Sequence, residues 1–253
     1  MILLIGNWKM APEKNTEALV LAKKTLVIAK QYKKSVKMVV CAPSIHIPLL
    51  TKNIKTTLNI GGQDVSSNGE IAQTGFISAE MLKSYGASYC IVGHSESRAR
   101  GISDDQALGS TLSLLQKKIT PVICVGEKER DNHGWYLSTV KQQIETIVEN
   151  IPKAQLKQLV FAYEPIWAIG KDAAREATVV ECREMIIFIR KVIADAVDEK
   201  TAAGISILYG GSVNEQNASS FIAEGGADGL LVGRTSLDAK RFALLAKTLS
   251  LVA

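Results

Sequence analysis

Short apolar runs alternate with amphipathic segments along the whole chain. Runs at 2–5, 37–41, 59–62, 89–92, 120–125, 159–162, 206–209 and 229–232 are rich in Val, Ile, Leu and aromatic residues. They are too short for helices and show little polar alternation, the pattern of strands buried on both faces. Between them, apolar residues recur at helical spacing over 16–32, 78–83, 104–117, 137–150, 179–195 and 214–223. Ser103-Asp104-Asp105-Gln106 has the spacing of a capping box at one helix start. Gly86, Gly204 and Gly225-Gly226 stand where helices stop and strands begin.

Eight strand-then-helix units predict a single (β/α)8 barrel: a closed, eight-stranded parallel sheet ringed by helices. No linker or composition shift divides the chain, so residues 1–253 are expected to form one domain. An open, doubly wound sheet is the competing architecture. It would normally carry a glycine-rich fingerprint after the first strand, where this chain has Gly6-Asn7-Trp8-Lys9.

Composition adds little beyond exclusions. The chain is 47% hydrophobic, and its 30 basic and 25 acidic residues are interspersed. No basic stripe with interleaved aromatics argues for nucleic acid. The spacing of Cys41, Cys90, Cys124 and Cys182 is not that of a zinc site, and reduced, buried thiols in a cytoplasmic protein are expected. No secretory signal or membrane span is expected.

In a barrel of this kind, chemistry sits where strands end at their C-terminal side. After the sixth run comes Tyr163-Glu164-Pro165, followed by apolar Ile166-Trp167-Ala168-Ile169 in what should be a surface loop. That arrangement reads as a carboxylate at the base of a pocket beneath a lid, or more plainly as a core strand ending in a solvated Glu. Asn7-Trp8-Lys9 follows the first run, Gly93-His94-Ser95-Glu96 the fourth, Gly210-Gly211-Ser212 the seventh and Gly233-Arg234 the eighth. The two glycine turns, each placed before an expected helix start, suit an anion such as phosphate. His94, just before a helical segment, is expected to be a neutral hydrogen-bond donor. Lys9 and Glu96, of opposite sign on nearby exits, are expected to pair. A base, a neutral donor, a cation, a phosphate nest and a lid are the groups needed to move a proton next to a carbonyl in a small phosphorylated ketone or aldehyde. The lid would keep the enediolate from expelling phosphate.

These segments, with Tyr209-Gly210-Gly211-Ser212-Val213-Asn214 and Gly225-Gly226-Ala227-Asp228-Gly229, closely resemble the triosephosphate isomerase family in content and order. The resemblance implies a TIM barrel interconverting dihydroxyacetone phosphate and glyceraldehyde 3-phosphate without cofactor or metal. It implies Glu164 as the base, His94 as the electrophile, Lys9 as the countercharge with Asn7 beside it, and Glu96 as an ordering residue. Gly170, Ser212, Gly233 and the N–H of Arg234 would hold the phosphate. A homodimer is implied, with Thr74 reaching the partner's Lys9 region.

The chain departs from the family pattern at Ser97, Phe76 and Arg234, and at the far lid hinge, Lys171-Asp172-Ala173-Ala174. If Arg234 needs a positive φ, the cost is about 1–2 kcal/mol; otherwise its N–H serves and its side chain points outward. The departures keep open a barrel that binds phosphorylated ligands or proteins without turnover. A different phosphate-binding barrel isomerase fits the lid segment poorly.

Overall fold

A computed structural model describes residues 1–67, 73–131, 133–170, 173 and 175–253. Eight strands form a closed parallel barrel in sequence order: β1 (Ile2–Asn7), β2 (Val36–Cys41), β3 (Leu58–Gly62), β4 (Tyr89–Val92), β5 (Thr120–Val125), β6 (Val160–Tyr163), β7 (Ser206–Tyr209) and β8 (Gly229–Val232). Closure comes from β1 pairing with β8, Leu3 opposite Gly229 and Gly6 opposite Val232. Four of the strands match the expected bounds at both ends, and the other four differ by one or two residues.

The helices are α1 (Asn15–Tyr32), α2 (Ile47–Asn53), α3 (Ala79–Ser84), α4 (Ser95–Ala99), α5 (Asp104–Gln116), α6 (Trp135–Val148), α7 (Lys153–Leu156), α8 (Val179–Ala196), α9 (Glu199–Gly204), α10 (Ala218–Ala223) and α11 (Ala239–Ser250). The Ser103 capping box opens α5, with both reciprocal bonds made. A second, Thr178 with Glu181, opens α8.

Side-chain parity builds the core and aims the site. Leu3, Ile5, Val39, Ile91, Val122, Val160, Ala162 and Leu208 form a cluster filling the barrel. Their neighbours Leu4, Val40, Ile123 and Phe161 belong to a second cluster shared with the helices, including Leu21 of α1, Ile189 of α8 and Phe242 of α11. Burial on both faces accounts for the near-continuous apolar runs. Each Val, Leu, Ile or Phe among them contributes about 1.5–3 kcal/mol on burial, so these two layers dominate the folding energy. Continuing the inward register to the strand ends brings in Asn7, the last residue of β1, after Leu3 and Ile5, and Glu164, one residue past β6, after Val160 and Ala162. The fold therefore delivers both polar groups to the barrel mouth.

One departure from expectation lies after β7. The segment expected as helix from Asn214 is a turn, and α10 starts only at Ala218. Asn214 Oδ1 accepts the N–H groups of Gln216 and Asn217, and Asn217 Oδ1 accepts that of Asn214. Asparagine side chains favour such local bonds over helix. Arg234–Leu237 is a 3-10 turn, and the last helix begins only at Ala239.

Gly126 sets the spacing between the β5 and β6 exits. A Cβ there would lie 1.8 Å from the Glu164 carbonyl oxygen. Its backbone N–H donates to Gln143 Oε1 at 2.8 Å, and its carbonyl accepts from Gln143 Nε2. Because the obstruction is backbone, Gly126→Ala should destabilise the fold by about 3 kcal/mol or more. Urea unfolding is the measurement; a loss under about 1 kcal/mol would mean that the two exits separate freely.

Candidate active site

The mouth gathers groups from distant parts of the chain. Glu164 is 3% exposed, one residue past β6. Its backbone N–H donates to the Val125 carbonyl at 2.8 Å, and Gly210 N–H donates to the Tyr163 carbonyl at 2.8 Å. Sheet pairing thus continues past the strand end and fixes the carboxylate's root. Glu164 Oε1 lies 3.1 Å from His94 Nε2, and Oε2 accepts the N–H of Ser95 at 3.0 Å.

His94 is the N-cap of α4, and its Nδ1 accepts the N–H of Glu96 at 3.2 Å. A backbone N–H can only donate, so Nδ1 holds no proton and the ring's single proton sits on Nε2, facing Glu164. Arg98, from the same turn, braces the exit with Nε on the Gly93 carbonyl at 2.9 Å.

Lys9 Nζ is bonded to Glu96 Oε1, joining the β1 and β4 exits. Partial burial pushes the Glu96 carboxyl up, but the bond and charge of Lys9, aided by Arg100, leave it below the usual carboxylate range. Lys9 has a φ of 52°, a left-handed backbone that costs a non-glycine residue about 1–2 kcal/mol. Its N–H donates to Asn7 Oδ1 at 3.0 Å, and its carbonyl accepts from Gln63 Nε2 at 2.9 Å. Sequence reading missed Gln63, although it follows β3 and the same strand-exit rule would have found it.

On the other side of the mouth, Ser212 Oγ donates to the Ala168 carbonyl at 3.4 Å, linking the β7 exit to the segment after Glu164. At 211 a Cβ would stand 2.2 Å from the Tyr209 hydroxyl oxygen, so any larger residue must displace that buried ring. A Cβ at Gly233 would lie 3.6 Å from Lys9 Cε, so that turn borders the lysine stem. Arg234 is exposed and is not among the positive-φ residues, so its place demands no glycine. Gly170 has a φ of 99° and is exposed.

Thr74 and Phe76 lie in the exposed loop after β3, away from these contacts. Ser97 is buried, and its Oγ accepts from Arg100 Nη2 at 3.1 Å. Of the expected lid hinge, Lys171, Asp172 and Ala174 lie outside the described residues.

Around Trp167, in the segment after Glu164, is a polar network that sequence reading did not find. Glu127 Oε1 accepts from the Tyr163 hydroxyl and from Trp167 Nε1, each at 2.8 Å, and from Arg130 Nε at 3.2 Å. No local motif marks it; the four side chains meet only once the β5 and β6 exits are side by side.

Comparison with known proteins agrees in extent with this geometry. The family described as Triosephosphate isomerase matches residues 2–249. The chain is 37% identical over 249 residues to the triosephosphate isomerase of Endomicrobium trichonymphae, covering 97% of each protein. It is 36% identical to that of Vibrio parahaemolyticus serotype O3:K6, over 96% of this chain and 95% of that one. With the enzyme of Ruthia magnifica it shares 34% identity, over 97% of this chain and 98% of the other. A closed eight-stranded barrel, polar groups converging on its C-terminal mouth and similarity along nearly the full length together place this chain in the triosephosphate isomerase family.

Proposed function

We propose that the chain is one catalytic unit, an enzyme that interconverts dihydroxyacetone phosphate and D-glyceraldehyde 3-phosphate through an enediolate, serving glycolysis and gluconeogenesis. The observation that carries this reading is the meeting of Glu164 and His94 Nε2 at 3.1 Å in a mouth that also holds Lys9. Glu164 takes a proton from the carbon beside the substrate carbonyl. His94 Nε2–H donates to the carbonyl oxygen as negative charge grows there, the division of roles familiar from the family. The proton returns to the neighbouring carbon, and no net redox change occurs. The Lys9 ammonium offsets the substrate's charge, Asn7 holds the Lys9 backbone, and Glu96 steers the ammonium. Gly170, Ser212, Gly233 and the N–H of Arg234 form the phosphate side, and the segment from Ile166 to Gly170 acts as the lid. Both oxygens of Glu164 are engaged by protein groups, so the arrangement is a resting one. Substrate entry draws the carboxylate off Ser95.

The working form is proposed to be a cytoplasmic homodimer. Met10, Ile45 and Phe76, on the exits of adjacent strands β1, β2 and β3, are 93%, 72% and 57% exposed. Apolar exposure on three adjoining exits suits burial against a second copy, bringing Thr74 toward the partner subunit's mouth. Four buried, free cysteines suit a reducing compartment. Among the described residues no helix is long and apolar enough to cross a membrane.

Glu164→Gln should lower turnover at least about 100-fold in a coupled assay with folding intact, and a near-wild-type rate would remove Glu164 from the base role. His94→Asn should lower kcat more than it raises KM; the reverse would make His94 a binding residue only. The lowered Glu96 pKa has a stability consequence of definite sign. Its contribution is present above the unfolded value of about 4.3 and fades as pH falls through the folded value. Carbon-detected NMR should find the Glu96 titration below about 4.3, moving up in Lys9→Met. No movement would mean that Lys9 is not the cause. Light scattering should return about twice the chain mass, and Phe76→Lys should shift the population toward monomer. A monomeric, fully active protein would end the dimer proposal.

A further inference from the structure

Trp167, at the start of the lid segment, lies between two guanidinium groups. Its Nε1–H donates to Glu127 Oε1. Arg130 Cζ lies 5.5 Å from its ring and Arg175 Cζ lies 4.6 Å away. The two arginines come from different loops, and both reach carboxylates of α8. Arg130 follows β5, bonded to Glu127 and to Glu184 Oε2 at 3.0 Å. Arg175 comes from beyond the lid and grips Glu181 with both terminal nitrogens, Nη1 to Oε2 at 2.9 Å and Nη2 to Oε1 at 2.6 Å. Nη1 also donates to the Glu176 carbonyl at 3.1 Å.

Glu181 is itself fixed. Its Oε2 accepts the Thr178 N–H at 2.8 Å and the Thr178 hydroxyl at 2.9 Å, as the capping-box residue of α8. A two-pronged arginine–carboxylate pair on a capped helix start is better ordered than most surface pairs. The fork from Arg175 holds the Glu181 carboxyl down at about 2, so the pair is charged throughout the physiological range.

We propose that Arg175 is a positioning residue for the lid: anchored to the first turn of α8, it holds the Trp167 indole in the resting arrangement. The inference rests on the reading of 166–170 as a lid over an isomerase site. Arg175 is 55% exposed and does not touch Glu164 or His94, so it acts only through Trp167. Pro165 and the 3-10 turn Ile166–Ala168 form a stiff unit in which the Ala168 N–H donates to the Pro165 carbonyl at 2.8 Å. Closing the lid moves that turn, and the indole leaves the face of a guanidinium that stays on α8. Contacts made only in the resting state reduce the apparent affinity of any ligand that needs closure.

An exposed cation–π contact sets the scale at about 2- to 5-fold. Arg175→Ala should tighten binding of 2-phosphoglycolate and lower KM by about that factor, with a smaller change in kcat. Glu181→Gln, which keeps the capping box but removes the charged anchor, should tighten binding in the same direction. Arg175→Lys, retaining charge without the fork, should fall between Ala and wild type. In protein labelled with 5-fluorotryptophan, the Trp167 fluorine resonance, assigned through Trp167→Phe, should shift on Arg175→Ala without ligand. Unchanged or weaker 2-phosphoglycolate binding in both variants would overturn the proposal, as would an unmoved resonance. If wild type is folded yet shows no turnover, the isomerase reading falls, while the fluorine shift still decides whether Arg175 holds the indole.

Discussion

The hydrogen bonding of β1 to β8 is the constraint on which the rest depends. Without it, Lys9 at the first exit and Gly233 at the last would lie at opposite edges of an open sheet. With it, a Cβ on Gly233 would nearly touch the Lys9 stem. Closure also makes parity meaningful. In a parallel ring, a residue in inward register at or just beyond a strand end points at the axis, so Asn7 and Glu164 face a common space. The site is therefore a consequence of sheet geometry before any side chain forms a bond.

What was legible in the sequence follows from how local each signal is. Strands such as β4, β5, β7 and β8 were readable to the residue because both faces are buried and each run stops at a glycine, Gly93, Gly126, Gly210 and Gly233 in turn. Glu164, His94, Lys9 and Glu96 were readable as candidates because a strand exit is a one-dimensional landmark. The helix starting at Asn214 was misread because two asparagines fit a cap as well as a self-bonded turn, and only their mutual bonds decide. Short helices such as α7 and α9 carry too few turns to show a period. The Glu127–Arg130–Tyr163–Trp167 network could not be read at all. Its members are 40 residues apart along the chain at the widest bond, and each alone looks like an ordinary loop or strand residue.

Two of the departures from the family pattern come out differently from their appearance in sequence. Arg234 occupies a turn with no left-handed backbone, so a bulky residue there costs nothing through φ. Ser97 is buried and takes a hydrogen bond from Arg100, so its position is filled by polar contact. At the mouth a left-handed backbone falls instead on Lys9, a residue the family pattern retains. The strained backbone is braced from both sides, by Asn7 on its N–H and Gln63 on its carbonyl. A left-handed residue at a functional mouth persists where its surroundings over-determine it. Here the bracing comes from the exits of β1 and β3, so the ammonium's aim is a property of adjacent strands rather than of a free loop.

The same logic separates the two halves of the mouth. On the Lys9–His94–Glu96 side, direction is set by backbone: the Glu96 N–H fixes the imidazole tautomer and the Ser95 N–H holds the carboxylate. Backbone donors on a five-residue helix start cannot turn away, so the imidazole's direction is set before any ligand arrives. On the Trp167 side, the holding groups are side chains, two arginines and a glutamate, which can let go at the cost of a few-fold in population. On the proposed isomerase reading, rigidity where charge develops and mobility where substrate enters call for this division. The placement of each kind of donor thus follows from the task of the segment it holds.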